Sequence, residues 1–230
     1  MIKHAIDVVC KAIQHLNPGQ TPVVTFDQPL YAMANAIQWS IPTQCGIENL
    51  ILMLGPLHTE MAYMGTLGGF LANNGWATLI YNAGITRPGV ANSLLSGHDT
   101  VCTKYCHQVT ACTLNILLKK AHEQYRIDND SSIDFTLWCH KMALKYPQFR
   151  YWHTVLKMDL TLMVFLKSIR TGNFSLYKDA IKCILPWVFA LDHYLYARWL
   201  TIHWYDMATL DQTNSSIKTE FDWKICGVQN

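Results

Sequence analysis

The sequence predicts a mostly helical protein with a small α/β part at its start. Two short apolar runs near the N-terminus each stop in a polar cluster and pass at once into a helical pattern. From Val90 to Met207 the spacing of apolar residues is then helical almost throughout. Strand, polar break and helix, repeated in that order, build a parallel pair of strands, and the long helical remainder marks a second part of the chain.

The elements follow in order. Residues 2–16 form an amphipathic helix with Ile2, Ile6, Val9 and Ile13 on one face, closed by Asn17-Pro-Gly19. The first strand is Pro22 to Phe26. Asp27-Gln-Pro29 ends it, and Leu30, Met33, Ala34 and Ile37 give the stripe of a helix running to about Trp39. The second strand is Leu50 to Leu54, Gly55-Pro56 is its break, and a helix runs from about Thr59 to Leu71 with Met61, Met64, Gly68 and Leu71 on one side. A third strand is expected at Ala77 to Tyr81, before the turn-rich stretch 82–89. Beyond it, Tyr105, Val109, Cys112 and Ile116, and Leu156, Leu160, Met163 and Leu166, mark long helices. The clusters Asp128-Asn-Asp-Ser-Ser132, Tyr146-Pro147 and Thr171-Gly-Asn173 separate about four of them.

Composition narrows the class. Half of the residues are hydrophobic, 15% are charged and eight are Trp, the make-up of a packed chain rather than a disordered one. Lys and Arg number 18 against 16 Asp and Glu, so a net charge of +2 advertises no polyanion partner. The eight cysteines show no disulfide framework and read as reduced thiols of an intracellular protein. The N-terminus is charged where a signal peptide needs an apolar core. The longest uncharged apolar stretches, 160–166 and 183–191, fall short of the roughly 18 residues of a membrane span, so no membrane partner is expected.

Few residues carry chemistry in a recognisable pattern. Asp27 at one strand end, with His58 and Glu60 just past the next, can bring oxygen and imidazole ligands toward one divalent ion, since Mg²⁺ takes carboxylates and keeps several waters. The competing reading is that Asp27 caps the helix after it, as Asp commonly does. Cys102, Cys106 and His107 look like half of a zinc site, but no complementary pair exists elsewhere, and buried thiols on a packed helix explain them better. Gly65-Thr-Leu-Gly-Gly69 lies within a helical pattern and is not a dinucleotide fingerprint; close helix packing accounts for it. Walker, GxSxG and HExxH motifs are absent. Asp192, Tyr196, Trp199 and His203 share one face of a late helix, which can aim a carboxylate at the strand edge.

Three segments together carry a resemblance. Phe26-Asp-Gln-Pro-Leu-Tyr31, Gly55-Pro-Leu-His-Thr-Glu-Met61 and Asp192-His-Tyr-Leu-Tyr-Ala-Arg-Trp199 resemble segments of long, transposon-derived invertebrate proteins, which are similar in turn to ribonuclease-H-like transposase cores. The resemblance spans about Pro18 to Leu210. It implies a small, incomplete ribonuclease-H-like sheet in residues 1–89, a helical insertion over 90–190 and a C-terminal helix from 191 to 230 that completes the core. It also implies Asp27 and Asp192 as catalytic carboxylates and Asp27, Asp192 and His58, the last a ligand or a strand-end helper, as the metal set, to which the strand-end pattern adds Glu60, with Mg²⁺ or Mn²⁺ as cofactor, DNA as partner and the nucleus as location. Such a core begins with three antiparallel strands, and only one strand precedes the one that leads into His58 here, so the chain reads as a fragment or domesticated remnant whose phosphodiester chemistry is ancestral. The alternative is a noncatalytic interaction domain presenting the aromatic segments Phe149-Arg-Tyr-Trp152 and Trp199 to Trp204 to a protein partner.

Overall fold

The computed structural model describes residues 1–224. The described elements include helices α1 (Ile2–Leu16), α2 (Gln28–Ser40), α3 (Pro42–Cys45), α4 (Pro56–Leu71), α5 (Trp76–Asn82), α6 (Ala91–Ser96), α7 (Thr100–Asp128), α8 (Phe135–Lys145), α9 (Pro147–Thr171), α10 (Phe174–Ala190), α11 (Tyr194–Ala208), α12 (Leu210–Thr213) and α13 (Ser215–Lys224) and two strands, β1 (Val23–Phe26) and β2 (Ile51–Leu54). The protein is therefore mostly α with a small sheet. The strands run parallel in the register Val23 opposite Ile51 through Phe26 opposite Leu54, with α2 and α3 as the crossover. Two strands alone bury too little to persist in water. Here α2 and α11 pack on them, and Ile51, Leu52 and Leu54 are lost from solvent.

The chain divides into two compact units. The first comprises Met1–Ala62 with the segment from Val164 onward, and the second is Tyr63–Met163. These limits fall inside α4 and α9 rather than at residues 89/90 and 190/191. The reason is packing: α6 sits on both α5 and α7 in the second unit, whereas α10 packs along α11 in the first.

Three local expectations need correction. Ala77 to Tyr81 is not a strand but the body of α5. Gly75, with φ at 82°, turns the chain, Asn74 Oδ1 accepts from the Trp76 amide, and Trp76 and Ile80 are buried four residues apart, which is helical spacing. On α2 the buried residues are Tyr31, Ala34, Asn35 and Gln38, so the inner face is turned about one residue from the predicted stripe, and Met33 is 48% exposed. On α7 the inner face carries Thr103, Cys106, His107, Thr110, Ala111 and Leu118, while Tyr105 and Ile116 point outward. In both helices some of the buried polar groups find partners inside. Gln38 Nε2 donates to the carbonyls of Cys45 and Leu50, each at 2.8 Å, and Thr110 Oγ1 donates to the Cys106 carbonyl. A hydrogen-bonded polar group can be buried at little net cost, so these helices do not obey a purely apolar stripe.

Each unit has its own core. In the second, Leu71, Trp76, Ile80, Leu94, Cys106 and Val155 form one cluster, and Trp138, Cys139, Met142 and Leu156 belong to another. Gly68, midway along α4, lies so close to α6 that a Cβ there would stand 2.7 Å from Leu95 Cα and closer still to its carbonyl. Gly69 next to it faces open space.

Candidate functional site at the sheet edge

The polar edge is built by the ends of the two strands. The Gly55 amide donates to the Phe26 carbonyl at 2.7 Å, extending the parallel ladder one step beyond β2 and setting the residues after both strands side by side. A side chain at Gly55 would crowd that carbonyl at 3.0 Å and the His58 ring at 3.3 Å. Glycine therefore lets β1 and the imidazole of His58 close over the same point. Asp27 and His58 thus sit at the carboxyl end of the sheet, where ligands of open α/β sheets gather.

Asp27 is engaged in capping. Its backbone is extended, with φ −68° and ψ 170°, and Oδ1 accepts the Leu30 amide of α2 at 3.0 Å. The capping reading of Asp27 describes the geometry. Its charge still reaches across to α11: the Tyr196 phenol is pushed above its ordinary pKa, first by burial and then by Asp27. His58 is exposed on the first turn of α4, and Glu60, two residues on, is buried. Asp192 is not on a helix. It occupies the turn between α10 and α11 with φ at 57°, a left-handed conformation that Asp tolerates, and its side chain is exposed. The edge thus brings Asp27, His58 and Tyr196 toward one another. Among the described residues no three His, Cys, Asp or Glu are grouped as a metal set.

Behind the edge, α2 and α11 share a polar seam that the sequence did not disclose. The Tyr31 ring meets Trp199 edge-on at 6.2 Å and His203 at 5.9 Å. His203 Nε2 pairs with the Tyr177 hydroxyl at 2.9 Å, while its Nδ1 is buried without a hydrogen-bond partner. Burial holds this imidazole neutral, with its pKa lowered to about 3. Asp206, one turn further along α11, carries a carboxyl that burial raises to about 6.

The second unit holds a further buried pair. His107 Nδ1 lies 2.8 Å from Asp159 Oδ1, and neither side chain touches solvent. Trp76 stacks on the imidazole at 5.1 Å and donates its indole N–H to Thr110. Burial raises the Asp159 pKa, and His107 partly offsets that rise. His107 therefore faces a carboxylate across the helices, not a zinc half-site; Cys102 bonds with Thr86, and Cys106 sits in an apolar cluster where burial, then Cys102, pushes its thiol up to about 12. The spacing of 52 residues between His107 and Asp159 leaves no local sequence signal. The aromatic side chains of the 149–152 segment are half-buried. Phe149 packs on Trp138, and Phe149 and Trp152 line a cavity of about 940 Å³ with Trp76. Trp199 is likewise buried, between Tyr31 and Trp39.

Comparison with known proteins places the chain in a family. Residues 1–137 and 102–224 match DUF8702, a domain of unknown function. The chain belongs to the DUF8702 family. The two matches overlap and together take in the sheet edge, the seam and the buried His107–Asp159 pair, so all of these features lie within the DUF8702 match. No curated protein and no solved structure matches the chain. Among the described residues no helix is long and apolar enough to cross a membrane.

Proposed function

We propose that this DUF8702 chain is a transposase-like core, a fragment or domesticated remnant, that keeps the frame of a metal-dependent phosphodiester site without its metal set. The observation that carries the reading is Asp27 at the carboxyl end of β1, beside the end of β2, in a unit whose two parts are separated in sequence by the helical unit Tyr63–Met163. That order, sheet first, helical interruption next and a late helix returning to the sheet, is the layout the resemblance implies. The residues at the edge can cap, hydrogen-bond and present one carboxylate. Among the described residues no three His, Cys, Asp or Glu are grouped as the several ligands that hold catalytic ions. The chain therefore works by binding DNA rather than cutting it, and weakly, because a charge of +2 neutralises few phosphates. Its place of work is the nucleus.

The test pairs two assays on the full chain. Fluorescence anisotropy with a labelled duplex at low salt is expected to show weak, salt-sensitive binding, and a supercoiled-plasmid assay in Mg²⁺ or Mn²⁺ is expected to show no nicking above an Asp27→Asn control. Absence of DNA binding even at low salt refutes the transposase-like reading. Robust nicking that Asp27→Asn abolishes refutes the claim that the chain is a remnant.

A further inference from the structure

Asp206 sits in a setting that the proposed DNA-related role does not use. It lines a pocket of about 410 Å³ at one end of the α2–α11 seam, together with Trp39, Tyr205, Gln38, Thr209 and Gln212. No Lys, Arg or His lines that pocket, so Asp206 is its single charged side chain. Trp39 is 56% exposed and stacks on Trp199 at 6.1 Å with the rings nearly parallel, so the second indole backs the first and holds it in place at the pocket wall. Tyr205 offers a second aromatic ring.

We infer that this pocket binds a primary alkylammonium group, with Asp206 as its counter-ion and Trp39 and Tyr205 as aromatic walls. A carboxylate without a cationic partner among the described residues, set beside aromatic faces, is complementary to an organic cation; ring faces attract cations by about 0.5–2 kcal/mol as desolvation grows. The remaining lining decides between kinds of ammonium. The Thr209 hydroxyl and the Gln38 and Gln212 amides supply acceptors, and a primary ammonium has three donors to satisfy, whereas a quaternary one has none and needs a cage of rings. A single carboxylate among neutral acceptors is too few ligands for a bare divalent ion, which takes six or more oxygens.

Burial holds the empty pocket's carboxyl at about 6, so occupancy rises as the acid ionises. The titratable and charged groups on the surrounding elements are Tyr31 on α2, Cys45 on α3, Glu48 after it, Tyr194, Tyr196, Arg198, His203 and Tyr205 on α11, Asp211 on α12, and Tyr177, Lys178, Asp179, Lys182 and Cys183 on α10, which packs along α11. Only Tyr31 registers the charge of Asp206, by a further rise of its phenol pKa, and that phenol is neutral across the working range. The pH dependence is then that of Asp206 alone. At pH 5.0 roughly one carboxyl in eleven is ionised, so binding should be about tenfold weaker than at pH 7.5, while the ligand stays charged throughout.

The experiment is a titration of the full chain with n-butylammonium chloride, read from the Trp39 indole resonance in a nitrogen–proton correlation spectrum and assigned with Trp39→Phe. The expected result is a saturable shift that weakens at least tenfold in Asp206→Asn, survives in Asp206→Glu, weakens about tenfold at pH 5.0 and is several-fold poorer with tetramethylammonium. Spermidine and a capped lysine peptide form two further arms. Tighter binding of the first assigns a free polyamine, and tighter binding of the second assigns a partner's lysine; both support the pocket. No saturable shift, or equal binding by a folded Asp206→Asn, overturns the inference whatever becomes of the DNA-binding reading.

Discussion

Replacing Gly68 by alanine should destabilise the second unit, and replacing Gly69 should not. Both lie inside α4 and each loses the same conformational penalty on gaining a methyl group, worth about 0.5–1 kcal/mol in favour of alanine. They differ in what the methyl meets. At position 68 it would stand 2.7 Å from Leu95 Cα and 2.5 Å from Leu95 C, main-chain atoms of α6 that cannot swing aside, so the helices must part by about 1 Å or more. Overpacking of this kind costs typically 1–3 kcal/mol, at the upper end where backbone must move. Subtracting the helix gain leaves a net loss of about 2 kcal/mol, or roughly 4–8 °C in melting temperature for a chain of this size. At position 69 nothing lies within 4 Å, so Gly69→Ala should gain about 0.5–1 kcal/mol. Thermal melts followed by circular dichroism on the two variants and the parent decide it. A Gly68→Ala protein that melts with the parent would refute the close approach of α4 and α6 on which the account of the glycine cluster rests.

Stability should respond to pH through two buried groups of opposite sign. His203, lowered from 6.5 to about 3 in the fold, contributes fully above pH 6.5 and loses about 1.4 kcal/mol per pH unit as pH falls toward 3. Asp206, raised from 3.8 to about 6, costs stability above pH 6 and returns it as pH falls from 6 to 3.8. The two cancel between about pH 6 and 4, so Asp206→Asn should be about 1–2 kcal/mol more stable than the parent at pH 7.5, after discounting for partial exposure, and should lose that advantage steadily on acidification; parallel urea curves across this range would contradict it. Asp27→Ala should cost about 1 kcal/mol through loss of the α2 cap, and Asp27→Asn much less, since Asn caps as well. Equal melting temperatures for Ala and Asn variants would show that the cap contributes nothing, and for this reason the Asn variant is the right control for activity.

The helices were legible where punctuation is strong. Asn17-Pro-Gly19, Gly55-Pro56, Tyr146-Pro147 and Thr171-Gly-Asn173 all mark real ends, and both strands lie within one residue of their expected bounds. The inner faces were harder to read. On α2 and α7 the buried stripe contains Asn35, Gln38, Thr103, His107 and Thr110; Asn35, Gln38, His107 and Thr110 bond to residues on other elements or to neighbouring carbonyls, and no apolar periodicity announces any of the five. Ala77 to Tyr81 looked like a strand because Thr78, Ile80 and Tyr81 are β-prone and five residues are too few to show a period, and the αL turn at Gly75 that starts the helix is visible only in the backbone. The strand-end location of Asp27 and His58 was legible from the breaks at residues 27–29 and 55–56. Asp206 was not, because its character comes from burial beside α2, and burial of a lone acid in an aromatic helix leaves no mark in sequence.

The central claim is that the sheet edge keeps the frame of a metal site without its ligand set, and crystals soaked in Mn²⁺ test it most directly. Anomalous scattering at the manganese edge should show no ion bound jointly by Asp27 and a second carboxylate. A peak about 2.1 Å from an Asp27 oxygen and equally close to Asp192 or Glu60 would contradict the account and make the edge a working metal centre.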